Sequence, residues 1–143
     1  MIIDANLKLS DAQAVTATAL STNVIAWPDL GTPYGETAAP TRELGTGTPI
    51  PLLIQVTTAF ATLTSLTITI ETSANSNMTS STVLASTPAI PAASLVAGYR
   101  PALAAVMPEQ ASGKYFAVRY TVNGSNATAG AITASIVAGV QSA

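Results

Sequence analysis

The sequence predicts an all-β protein: a jelly-roll-like antiparallel β-sandwich with long loops and at most one short helical turn. Three observations lead there. Residues 115–141 hold two runs of alternating side chains around a connector rich in turn formers. Residues 63–72 alternate in the same way. The rest of the chain falls into short β-type runs between clusters of Gly, Pro, Asn and Ser, about seven or eight strands in all, with no long helical period.

The 115–141 stretch is the clearest. In its first half Phe116, Val118, Tyr120 and Val122 share one face, and Tyr115, Ala117, Arg119 and Thr121 share the other. In its second half Ile132, Ala134, Ile136, Ala138 and Val140 alternate with Thr133, Ser135, Val137 and Gly139. Successive strand side chains point to opposite faces, so each half reads as a strand with one buried face. Asn123-Gly124 and Gly130 tolerate positive φ, and the two halves are expected to form a hairpin.

Taken in order, residues 1–11 carry Asp4, Lys8 and Asp11 and predict an arm or a short first strand. Residues 12–25 are rich in Ala, Thr and Val, and the β-branched side chains favour extended structure. A helix over 11–20 with Ser10 as its N-cap is the alternative. Residues 26–48 have no regular period and contain Trp27-Pro28, Pro33-Tyr34-Gly35, Pro40, Gly45 and Gly47. A loop of that length in a compact domain is usually functional or partly disordered. Either it presents Trp27, Tyr34 and Arg42 to a partner, or Trp27 and Tyr34 plug an open end of the sandwich.

Residues 49–60 read as a strand with prolines only at its start, where a lost N–H donor is tolerated. In 63–72, Leu66, Ile68 and Ile70 face in, while Thr67, Thr69 and Glu71 face out. A polar loop over 73–81 leads to a short strand over 82–85. In 88–100, Pro91 at the start and Gly98 just past the end predict one helical turn. Residues 103–107 predict another short strand, and 108–114 a turn.

A chain of 143 residues is expected to form a single domain. Hydrophobic residues make up 48% of it but aromatics only 5%, and much of the apolar share is alanine. Alanine buries little area, so such a core is thin and favours self-association. Only 8% of residues are charged, with a net charge of −2, so no basic surface is available for phosphates and nucleic acid is not an expected partner. No apolar run is long enough to span a membrane as a helix. The N-terminus has Asp4 and Asp11 where a signal peptide carries positive charge, so synthesis in the cytoplasm is expected.

The chain has no His and no Cys, which removes the usual general base, the most reactive nucleophile and the imidazole and thiolate metal ligands. Seven carboxylates remain: Asp4, Asp11, Asp29, Glu36, Glu43, Glu71 and Glu109. None has the spacing of a calcium loop, and the aromatic platforms of a sugar groove are scarce. The expectation is therefore no catalytic, cofactor-binding or metal residue. Asn77-Met-Thr79, Asn123-Gly-Ser125 and Asn126-Ala-Thr128 match the glycosylation pattern by composition alone. Trp27, Tyr34, Arg42 and Arg100 are the interface candidates. Arg119, on the outer face of a strand, is more simply read as solvated or paired locally.

Four stretches (9–25, 45–56, 90–98 and 115–141) resemble, in order and spacing, the capsid cement or decoration proteins of tailed bacteriophages, typified by that of a Bordetella podovirus. The resemblance implies a non-catalytic jelly roll on the outer surface of the virion. Such proteins sit as dimers on the icosahedral head and bridge adjacent capsomers of the major capsid protein, so the resemblance implies a homodimer here, with a trimer as the alternative. This chain departs from the family pattern after Ile25, where Ala26-Trp27-Pro28 precedes Asp29-Leu30-Gly31. No capsid-binding residue is therefore carried over. A tail, fibre or surface-adhesin β module and a small carbohydrate-binding domain are the rival readings.

Overall fold

The computed structural model describes residues 3–40, 50–101, 103 and 113–139. Among them are nine strands and one 3-10 turn. In chain order these are β1 (Ile3–Ala14), β2 (Ala19–Leu20), β3 (Ile25–Ala26), β4 (Leu52–Ala61), β5 (Ser65–Ser73), β6 (Thr82–Ser86), β7 (Ile90–Pro91), the turn Ala92–Ser94, β8 (Tyr115–Asn123) and β9 (Ala129–Val137). Every pairing is antiparallel, and the strands form two sheets. The smaller sheet has the order β1-β9-β4. The larger has β8 and β5 side by side at its centre, with β2 and β3 against β8 and with β6 and β7 against β5. This is the all-β sandwich that the alternation predicts, with one short helical turn among the described residues, between Pro91 and Gly98.

One cluster of buried side chains joins the sheets. Leu9, Ile54, Val56, Phe60, Ile132 and Ile136 come from the smaller sheet, and Leu66, Ile68, Ile70, Phe116, Val118 and Tyr120 from the larger. Each large apolar side chain so buried contributes roughly 1.5–3 kcal/mol, whereas an alanine such as Ala134 adds little. Burial departs from the alternation in β4, where Leu52, Leu53 and Ile54 are all buried, and most clearly in β9. In β9 the outward residues Ala131, Ser135 and Val137 are buried as well as Ile132, Ala134 and Ile136. Ser135 is small and lies between its longer ladder partners Lys8 and Leu53. Ala138, which the pattern places inside, is exposed just past the end of the strand.

The flanking columns of the larger sheet are each broken in the middle, and a buried hydroxyl closes each gap. Between β2 and β3, Ser21 donates its backbone N–H to Val118 O at 2.7 Å, and its Oγ accepts the Val118 N–H at 3.2 Å. Between β6 and β7, Thr87 donates its N–H to Ile68 O at 2.9 Å, and its Oγ1 accepts the Ile68 N–H at 3.0 Å. In both places a side-chain oxygen takes the position of a missing strand carbonyl, so the central strands keep their ladders intact.

Residues 1–11 are more than an arm or a short strand, because β1 runs from Ile3 to Ala14. Three register shifts bend it, and Ala12 adopts a φ of 45°. Ser10 does not cap a helix. Its buried Oγ donates to Gln13 Oε1 at 2.7 Å, which leaves it to accept the Tyr120 hydroxyl at 2.8 Å. Gln13 in turn accepts the Thr22 N–H and donates to Leu20 O, both at 2.8 Å. The chain thus ties β1 of one sheet to β8 and the β2–β3 connection of the other. Burial pushes the Tyr120 phenol well above the usual tyrosine range, so it stays protonated and donating.

The expected hairpin of 115–141 does not form. β8 pairs with β5, β2 and β3, whereas β9 pairs with β1 and β4, so the connector crosses from one sheet to the other. Long-range bonds hold the crossing: Ala127 donates its N–H to Thr16 O at 2.9 Å, and Thr128 donates to Ala61 O at 3.2 Å and Thr62 Oγ1 at 3.0 Å. Asn123-Gly124 does turn the chain, with Gly124 at a φ of 84°, but it opens an arch. Gly130, at a φ of 142°, lies against the Phe60 ring where a Cβ would collide with it. The strand expected over 103–107, apart from Leu103, and most of the turn over 108–114 lie outside the described residues.

Two substitutions test this construction. Thr87→Val preserves shape but leaves the Ile68 N–H without an acceptor, and urea denaturation should show a loss of about 1–3 kcal/mol, with Thr87→Ser largely restored. Gly130→Ala should cost about 2–4 kcal/mol, since it combines a disfavoured φ with displacement of a buried ring.

Candidate functional site: the projecting loop and the outer face of the larger sheet

β3 ends at Ala26, and the chain then leaves the sandwich. Residues 28–40 are exposed throughout. Prolines 28, 33 and 40 withhold backbone donors and keep the segment from joining a sheet. Its base is held in place. Trp27 donates its backbone N–H to Lys114 O at 2.9 Å, and Lys114 Nζ reaches Asp29 Oδ2 at 2.7 Å. Both charged side chains are solvated, so the ion pair contributes only about 0–1 kcal/mol. The indole of Trp27 packs on the core, 6.4 Å from the Phe116 ring at 53°. Its Nε1 is enclosed without a hydrogen-bond partner among the described residues.

The two readings of this loop are thus divided between its aromatics. Trp27 plugs the end of the sandwich, and Tyr34 projects fully into solvent. Arg42 lies outside the described residues. Arg100 is exposed beyond Gly98, next to the Tyr99 carbonyl that accepts Val56 N–H of β4. It therefore belongs beside the smaller sheet, whereas Trp27 and Tyr34 extend from the larger. The four interface candidates do not come from one element.

The outer face of the larger sheet is a hydroxyl-coated plane. Ser65 and Asn123, Thr67 and Thr121, and Thr69 and Arg119 are ladder partners on β5 and β8. At one end of this plane Arg119 grips Glu71, Nε to Oε1 at 2.7 Å and Nη2 to Oε2 at 2.9 Å. Thr69 Oγ1 donates to the same carboxylate at 3.0 Å and Ser81 Oγ at 2.7 Å. Arg119 is therefore paired locally. Glu71 turns outward as the alternation requires, yet it is buried under these partners. Burial alone would raise its carboxyl. The hydrogen bonds from Arg119, Ser81 and Thr69 and the guanidinium charge together outweigh that and hold it below the ordinary glutamate value of 4.5. The same hydrogen bond raises Arg119, which stays charged.

Two of the three glycosylation-like asparagines have structural partners. Asn77 Oδ1 accepts both the N–H and the Oγ1 of Thr79, at 3.1 and 2.7 Å. Asn123 Nδ2 donates to Ser65 Oγ and Thr67 Oγ1, each at 3.3 Å. Among the described residues no three carboxylates converge on a point that could hold a metal ion. No helix of the described residues is long and apolar enough to cross a membrane. Sequence reasoning missed the bridging hydroxyls of Ser10, Ser21 and Thr87. The signal for the last two is a Ser-Thr pair, Ser21-Thr22 and Ser86-Thr87, between two short β-type runs.

The described residues thus form an antiparallel sandwich with a hydroxyl-coated outer face and one projecting loop clamped at its base. The family model described as Bbp16 matches residues 9–136, and the chain belongs to this family of Bordetella phage proteins. No curated protein matches the chain.

The Glu71–Arg119 pair yields a pH prediction. A carboxyl held below its unfolded value adds stability that is complete well above pH 4.5 and is lost as the pH falls through the depressed folded value. Glu71→Gln should therefore lower stability by about 1–2 kcal/mol at pH 7, the Arg119 side chain being partly solvated. The variant should also show a shallower loss than the parent between about pH 5 and pH 2, followed by urea denaturation across that range.

Proposed function

We propose that this protein is a non-catalytic component of a phage particle that coats the outside of the icosahedral head, bridges adjacent capsomers of the major capsid protein and stabilises the expanded shell. The observation that supports this reading is membership of a phage protein family over residues 9–136. The chemistry of the chain is compatible with it: no His or Cys in the sequence, few charges and a neutral hydroxyl plane.

The mechanism needs only binding. A homodimer presents one surface twice, so it can hold two capsomers across a local two-fold axis. Two tethered contacts reinforce each other through their effective concentration, even where each alone is weak. Selective binding to the expanded shell stabilises that state by mass action. The low charge lowers the like-charge repulsion that would oppose dense packing of many copies on a head.

The purified protein should co-sediment with expanded shells and stay in the supernatant with free capsid subunits. Equal binding to both, or to neither, would refute the cement role.

A further inference from the structure

We propose that two copies of this chain pair through β6, edge to edge and antiparallel across a two-fold axis, so that their larger sheets become one. This deepens the cement reading, since it assigns the interface of the homodimer on which that reading rests.

A strand at the edge of a sheet carries a row of unpaired backbone N–H and C=O groups that another strand can satisfy. Most edges of this sandwich are closed. Residues 95–99 cover β4: Val56 and Phe60 donate their N–H groups to Tyr99 O and Leu95 O, and Gly98 donates to Val56 O. β1 is bent by three register shifts and carries Asp4, Lys8 and Asp11, and Asn23 takes the carbonyls of Lys8 and Leu9. β2 and β3 have two residues each, and Gln13 binds Leu20 O. β7 also has two residues, and Pro91 removes one donor.

β6 differs. It runs for five residues, Thr82–Ser86, without a charge or a proline, and it pairs with β5 alone. Among the described residues no backbone hydrogen bond closes its other side. A register shift adds one residue to β6, and Leu84 and Ala85 both pack on the core, which holds the edge in place. Val83, the ladder partner of Glu71, is left 52% exposed on the outer face.

The occupant follows from what the edge can match. A second copy offers β6 a strand edge that is open in the same way. Across a two-fold axis this short run meets itself, so a charged edge would face its own charge. β6 and its neighbours Ser80, Ser81 and Thr87 have none to oppose. The pairing uses up both edges and therefore stops at two copies. Five residues bury little area, so the dimer is weak and depends on concentration. Neighbouring sites on a shell raise the effective concentration and strengthen it.

Sedimentation equilibrium without shells tests the contact. The parent should dimerise reversibly, and Val83→Lys should weaken the dimer by about tenfold or more by setting like charges across the axis. Val96→Lys, the same change at an exposed site away from β6, should leave it unchanged. The thermal midpoint of dilute Val83→Lys should stay close to that of the parent, because the side chain faces solvent. The sequence has no Cys, so a short bis-maleimide should link Val83→Cys into dimers and leave Val96→Cys monomeric. A parent that stays monomeric, or a Val83→Lys dimer as tight as the parent's, overturns the assignment. So does a monomeric parent whose shell binding is lost in Val83→Lys, which would give the edge to a capsid strand. Shell binding is read separately by co-sedimentation. A β6 dimer that ignores shells removes the cement reading and keeps the contact, whereas shell binding without the dimer does the reverse.

Discussion

The two central strands of the larger sheet, β5 and β8, set the terms for the rest of the structure. Both are buried on their inward faces, so their backbone N–H and C=O groups need partners on each side. They supply each other along the whole register from Ser65–Asn123 to Ser73–Tyr115. Their far sides are completed by fragments: two residues of β2, two of β3, five of β6 and two of β7. Ser21 and Thr87 make this patchwork continuous. A buried amide left unpaired would cost as much as a good hydrophobic contact contributes, so two hydroxyls carry weight out of proportion to their size.

A second set of polar contacts fixes how the sheets face each other. The Tyr120–Ser10–Gln13 chain is the only side-chain hydrogen-bond relay among the described residues that starts inside the core and ends on the β2–β3 connection. Apolar packing is non-directional and tolerates sliding, whereas these bonds have one satisfied arrangement. That matters in a chain whose core is short of aromatic side chains. The Glu71–Arg119 clamp acts on the opposite face, where it joins β5 and β8 from outside and leaves the plane around it neutral.

The functional reading follows from this division. Only 8% of the residues are charged, and Glu71 and Arg119 satisfy each other on the outer face of the larger sheet. That face is coated with hydroxyls, and the loop that follows β3 projects into solvent. Trp27 and Tyr34 lie seven residues apart in the sequence and have opposite fates, one seating the loop and the other exposed at its tip.

The sequence by itself determined the strand character of the chain, because period-two alternation is imposed by local backbone geometry. It gave the inward faces of Leu66, Ile68 and Ile70 and of Phe116, Val118 and Tyr120, the turn between Pro91 and Gly98, and the absence of an imidazole or thiol chemistry. Only the tertiary structure decided which strands pair. Asn123-Gly124 marks a change of direction equally well for a hairpin and for an arch, and the choice rests on bonds to Thr16, Ala61 and Thr62, remote in sequence. The length of β1 and the duties of Ser10, Ser21 and Thr87 were hidden for the same reason. A hydroxyl or a bulged strand acquires its partner only when distant segments meet.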